Sequence, residues 1–148
     1  MNTFYRCRAT GATYPSSERR WRSDTGALLD LVFQPDFDPD RLAGRPATLW
    51  RYREALPLAA DAQVVQLGEP VTPLADFTLD GWPVQVKLDY LYPSGSYKDR
   101  GAAVLMSQAR TLGVRQVVQD SSGNAGCAVA HYAAVAGIAC DIYVPAST

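Results

Sequence analysis

Two short stretches carry side chains able to do chemistry. The first is Pro93-Ser94-Gly95-Ser96-Tyr97-Lys98-Asp99-Arg100-Gly101, and the second is Asp120-Ser121-Ser122-Gly123-Asn124-Ala125-Gly126. Both are rich in Gly and Ser, so the backbone can come close to a ligand and offer amide donors. In the first, Ser96 and Asp99 have capping-box spacing ahead of an apolar periodic run. With Ser96 as N-cap, Lys98 falls in the first helical turn, where the partial positive charge disfavours an ammonium. That field, with partial burial, favours the neutral amine needed to attack a carbonyl. The plainer alternative is a surface lysine paired with Asp99. Lys87 and Lys98 are the only lysines among 14 basic residues. Lys87 lies in an alternating segment, where solvent or an ion pair would hold its charge. In the second stretch, Asn124 and successive amides at a helix start suit an anion. Plain capping by Ser122 or Asn124 is an equal alternative.

The elements that must position these loops follow from periodicity. Residues 84–89 alternate apolar and polar, as a half-buried strand does. Ala102, Leu105, Met106, Ala109 and Leu112 recur at helical spacing, with Gly113 where a helix would end. Residues 114–118 read as a second strand and 138–144 as a third. Between them, 125–136 is an Ala-rich helix, apolar nearly all round and expected to be buried. The result is an α/β reading, a β-α-β-α-β unit with parallel strands and right-handed crossovers. In such sheets ligands sit beyond the carboxyl ends of the strands, at helix N-termini.

The first third is loop-rich, with short strand-like runs at 3–8 and 28–33 forming a hairpin or ribbon. Residues 49–58 make a short helix that Pro57 would end, and 67–80, with Pro70 and Pro73, read as irregular. The expected divisions are a ribbon-like segment 1–33, a linker with a short helix and an irregular segment 34–83, and a partial α/β cofactor-binding domain 84–148.

The chain has 148 residues, 47% hydrophobic and 20% charged, with a formal charge of -1. That balance gives no electrostatic case for nucleic acid or an anionic membrane. No apolar stretch is long enough to span a bilayer. Residues 1–8 hold no apolar signal core, and three unmatched cysteines (Cys7, Cys127, Cys140) fit a reducing compartment, so a cytoplasmic location is expected. Cys127 and Cys140 read as small buried hydrophobes, and His131, mid-helix, as structural.

The residues resemble a known family. The 93–101 stretch is similar to the Pro-Thr-Gly-Ser-Phe-Lys-Asp-Arg-Gly signature of threonine synthases, pyridoxal-phosphate enzymes of the tryptophan-synthase-beta-like fold (fold type II). Ser121 to Gly126 resembles that superfamily's substrate-carboxylate and cofactor loop. Leu49-Trp50-Arg51-Tyr52-Arg53-Glu54 and Leu67-Gly68-Glu69-Pro70-Val71-Thr72-Pro73-Leu74 also look like threonine synthase, in the family's order. The resemblance implies that Lys98 holds pyridoxal 5'-phosphate as an internal aldimine. It also implies that Asn124 bonds the ring hydroxyl, and that Ser121, Ser122, Gly123 and Ala125 bind the carboxylate of a small amino-acid substrate. The implied reaction is β,γ-replacement on O-phospho-L-homoserine, giving L-threonine and phosphate. Tyr97 stands for the usual Phe, Ser94 for Thr, Tyr92 for a common Asn and Pro70 for a common Gly. Rival readings are a serine or threonine dehydratase, and a non-catalytic fragment binding an anion or partner chain. Oligomeric state stays open.

The family's enzymes are more than twice this length, so the resemblance implies a fragment that is inactive alone. Some relatives carry a zinc ribbon, Cys-x-x-Cys then Cys-x-Cys. Here Cys7, Thr10, Ser23 and Thr25 stand at those places, and one thiolate cannot make a structural zinc site. A metal-free remnant packed around Trp21 and Tyr14 is expected.

Overall fold

The computed structural model describes residues 3–148. Positions 1 and 2, which begin the expected ribbon and the 1–8 stretch read for a signal core, lie outside them. Strands β1 (Phe4–Cys7), β2 (Thr13–Pro15) and β3 (Leu29–Val32) form an antiparallel sheet with β1 in the centre. The four positions of the remnant zinc pattern come together beneath it. Cys7 is buried with the Ser23 and Thr10 hydroxyls near its sulfur, and the Ser23 and Thr25 hydroxyls lie 2.9 Å apart. Trp21 plays no packing role: it is 79% exposed, with the Arg22 guanidinium over its ring.

A short 3-10 helix, Leu49–Ala55, is kinked at Tyr52 and closes ahead of Pro57. Beyond it the structure corrects the β-α-β-α-β expectation. Strand β4 (Leu74–Leu79), in a stretch expected to be irregular, pairs antiparallel with β5 (Trp82–Lys87) as a two-stranded hairpin. The strand expected to open a parallel sheet is therefore this hairpin's second arm. The cause is the Asp80–Gly81 turn, where both residues have positive φ, 49° and 81°. Such a turn matches strand twist and closes the ribbon locally. Its register puts Ala75, Phe77, Leu79, Trp82, Val84 and Val86 on one face, all apolar, with Phe77, Leu79, Trp82 and Val86 exposed.

The parallel unit is smaller. Helix α1 (Lys98–Thr111) leads to β6 (Gln116–Gln119), α2 (Asn124–Ala136) and β7 (Ala139–Ile142), and β6 pairs parallel with β7. Gly113 and Gly137 take the left-handed conformation that ends each helix. The core is the α1–α2 interface, where Ala102, Ala103 and Met106 meet Ala128, Val129, Tyr132 and Ala133. Alanines at the contact let the helices approach closely. One face of α2 is buried; Cys127, Ala134 and Val135 are exposed, so the helix is not enclosed as its composition suggested. Cys140 is half-buried on β7, and burial raises its thiol pKa. His131 is exposed, its Nδ1 2.8 Å from the Cys127 carbonyl. The ribbon docks on the C-terminal end of α1, where the Arg19 guanidinium donates to the Leu112 and Gly113 carbonyls at 2.7 and 2.8 Å. A cation there complements the helix dipole. Among the described residues no helix is long and apolar enough to cross a membrane.

Candidate active site

The lysine loop is built by a tight turn followed by a helix start. The Gly95 amide donates to the Tyr92 carbonyl at 2.7 Å, and Gly95 has φ 78°, which only glycine adopts easily. Pro93 pre-sets the turn. The Ser96 hydroxyl then accepts the Lys98 amide at 3.2 Å, but the N-cap of α1 falls on Tyr97, which supplies no side-chain cap, and not on Ser96 as the spacing predicts. The reciprocal half of the capping box does not form. Asp99 turns to Ser94 instead, accepting its amide at 2.8 Å and its hydroxyl through the other carboxylate oxygen. The Asp99 side chain is fully buried.

Lys98 is exposed rather than partly buried. Its Nζ lies 4.8 Å from the centroid of the Tyr97 ring, and it makes no ion pair among the described residues. Pairing with Asp99, the plainer alternative, is ruled out by where the Asp99 carboxylate goes. Lys87 donates to the Thr72 carbonyl at 2.8 Å.

The second loop begins at the carboxyl end of β6. Gly123, extended at φ -112°, ψ -155°, stands at the N-cap and supplies no side-chain cap, so Asn124 is the first helical residue and Ser122 does not cap. The first turn of α2 contains no acidic residue. Its partial positive charge is thus uncompensated by side chains, which suits a ligand anion. Ser122, Gly123 and Asn124 are exposed, Ser121 and Ala125 half-buried. A Cβ on Gly126 would stand 2.1 Å from the Ser121 carbonyl oxygen and 3.4 Å from Ile142 Cγ2. Only glycine lets this helix start close against the loop and β7.

Residues 121–125 thus form one contiguous surface, whereas Lys98 opens a different helix. No hydrogen bond or ion pair among the described residues joins Lys98 to Asn124. A buried polar cluster that the motif spacing does not reveal lies between the 3-10 helix and the body of α2. Glu69, fully buried, accepts the Trp50 Nε1–H at 3.0 Å and the Leu67 amide at 2.7 Å. The Tyr132 hydroxyl of α2 faces that carboxylate, with Asp99 nearby, and has no partner in hydrogen-bond geometry among the described residues. Burial, then the Glu69 charge, push the Tyr132 phenol pKa far up.

A second cluster braces the hairpin against α1. Asp89 accepts the Thr72 hydroxyl at 2.6 Å and the Arg100 guanidinium at 2.7 Å. Burial pulls the Asp89 pKa upward, but these two hydrogen bonds outweigh it and hold the carboxyl below its usual range. The signal for both clusters was a charged or hydroxylated residue set among apolar neighbours and prolines, as in Glu69-Pro70-Val71-Thr72-Pro73.

A family model described as pyridoxal-phosphate dependent enzyme matches residues 65–148. The chain is similar to the threonine synthase of Methanocaldococcus jannaschii, 32% identical over 150 residues that cover 95% of this chain and 37% of that protein. It is 38% identical to the threonine synthase of Mycobacterium tuberculosis (strain H37Rv) over 104 residues, 68% of this chain and 29% of the relative. The threonine synthase of Halalkalibacterium halodurans is 35% identical over 102 residues, 66% and 28% respectively. The chain spans about a third of the length of these relatives.

Proposed function

The chain belongs to the pyridoxal-phosphate-dependent enzyme family, and from that footing we propose that it forms the lysine-bearing part of a threonine synthase-like lyase. The reaction is conversion of O-phospho-L-homoserine and water to L-threonine and phosphate, and the cytoplasm is the location. The expected divisions 1–33, 34–83 and 84–148 are carried into this reading, the last as the cofactor-binding part. One observation carries it: a lysine with no acidic partner among the described residues opens α1, while α2 opens with neither a side-chain cap nor an acidic first turn. An amine, a carboxamide and free helix amides are the donor set that an aldehyde, a ring hydroxyl and two anionic groups call for. The threonine synthase relatives support the choice of substrate.

Pyridoxal phosphate, when bound, supplies an aldehyde for a lysine amine and an electron-withdrawing ring that stabilises carbanions. Lys98 Nζ would hold the cofactor at its aldehyde carbon, and its amine, once free, would take and return protons at the substrate carbons. The Asn124 carboxamide donates to the ring hydroxyl oxygen. Hydroxyls of Ser121 and Ser122 and the amides of Gly123 and Ala125 take the substrate carboxylate, which the α2 dipole favours. In the overall change the Cγ–O bond to phosphate would break and Cγ would take a proton, while Cβ would lose one and receive the hydroxyl of water, whose remaining proton leaves with the phosphate.

The test is release of phosphate together with threonine from O-phosphohomoserine by the full-length protein, with added cofactor. Turnover near 1 per second or more is expected of an ordinary enzyme of this kind. Ammonia and a 2-oxo acid from serine or threonine, with no phosphate release, would overturn the reading in favour of a dehydratase.

A further inference from the structure

Burial alternates sharply along the lysine loop. Ser96 and Asp99 are 5% and 0% exposed, while Tyr97 and Lys98 between them face solvent. Both buried side chains hold backbone. Ser96 Oγ takes the Lys98 amide, and the Asp99 carboxylate takes the amide and hydroxyl of Ser94. Asp99 has no cationic partner among the described residues; the neighbouring Arg100 is committed to Asp89. A carboxylate buried on neutral donors alone forgoes most of its hydration, so each of these bonds must be well made to hold it. Its place in the first turn of α1 adds the favourable helix field. Asp99 therefore closes a ring of backbone around residues 94–99 from which the Tyr97 and Lys98 side chains project into solvent.

We infer that Asp99, through its bonds to Ser94, is a positioning residue for Lys98: it fixes the Lys98 backbone while the side chain stays mobile. The inference rests on the reading that Lys98 holds the cofactor. A lysine that must be attached, displaced and reattached needs a fixed base and a free tip. An error of about 1 Å in a reacting group costs on the order of 100-fold in rate.

The experiment is pyridoxal phosphate labelling of the full-length protein, fixed with borohydride, with Lys98 and Lys87 peptides quantified by mass. Lys87 is the internal standard, since it lies outside the loop. Asp99→Ala is expected to lower initial labelling at Lys98 relative to Lys87 by roughly tenfold or more. Asp99→Asn keeps an oxygen for the Ser94 amide and offers an N–H to its hydroxyl, so it should restore the ratio to near wild type. That rescue separates the bond geometry from mere filling of space. If Asp99→Ala does not fold, Ser94→Ala removes the hydroxyl alone and should lower the ratio several-fold. An unchanged ratio in Asp99→Ala or Ser94→Ala, or an equal fall at both lysines, overturns the inference and leaves the cofactor assignment standing. Absence of any Lys98 preference in the wild type overturns both.

Discussion

The carbonyl oxygen of Ser121 lies 2.1 Å from where a Cβ on residue 126 would stand. That oxygen is backbone and cannot swing aside, so Gly126→Ala must push the loop from the start of α2. Overpacking of this kind costs about 1–3 kcal/mol. Denaturant unfolding should read that loss, and the variant should bind pyridoxal phosphate more weakly, because Asn124 moves with the helix start. Wild-type stability and cofactor affinity together would show that the loop tolerates a methyl group.

Lys98→Ala should abolish the visible absorbance of lysine-bound cofactor, whereas Lys87→Ala should keep it. Lys87→Ala does remove the donor to the Thr72 carbonyl, a loss worth about 1 kcal/mol of stability. A cofactor band that survives Lys98→Ala would move the reactive amine elsewhere.

Glu69 and Tyr132 predict opposite outcomes although they face one another. Glu69→Met leaves the Trp50 indole N–H and the Leu67 amide without their acceptor, at about 1–3 kcal/mol for each unpaired donor. Tyr132→Phe removes a buried hydroxyl that bonds nothing, and should be neutral or stabilising by roughly 1 kcal/mol. Thermal unfolding of the two variants decides. A loss of stability in Tyr132→Phe would mean that the hydroxyl does reach Glu69.

Cys7 predicts a pH effect. Hydrogen bonds from Ser23, then from Thr10, lower its thiol pKa from 9.0 to about 6. A depressed acid stabilises the fold fully above its unfolded value, and the contribution is lost as pH falls through the folded value. Stability should therefore rise between pH 6 and 9, and Cys7→Ser should flatten that rise. An equal slope in both proteins would remove the thiolate from the account. Elemental analysis after dialysis should find no stoichiometric zinc, since hydroxyls of Thr10, Ser23 and Thr25 do not replace thiolates.

Both helices and the parallel strands β6 and β7 were legible because their apolar spacing is regular and glycine closes each helix. The first strand was legible as a strand and wrong in its partner. Alternation reports the pleat, while pairing is chosen by the turn, and Asp80–Gly81 chose the neighbouring arm. The capping-box spacing of Ser96 and Asp99 placed the helix start to within one residue. It could not show that Asp99 would accept from Ser94 rather than from the Ser96 amide, because both donors lie within five residues of that carboxylate. Glu69 was invisible as a hub, since Trp50, which donates to it, and Tyr132, which faces it, lie far away along the chain. The hydroxyl cluster under the ribbon was legible only by likeness to a thiol pattern.

The apolar face of the β4–β5 ribbon bears on the order of events during folding. A two-residue turn closes its hairpin from contacts adjacent in sequence, on a timescale of about 1–10 μs. The α1–α2 interface joins more distant segments and carries a larger loop-closure cost. The ribbon therefore forms while its six apolar side chains still face water. Two strands alone are marginally stable, and a short-lived sticky edge of this kind is where chains meet one another. Yield on refolding should fall with protein concentration, and Trp82→Lys, on that face and beside the turn, should ease the dependence.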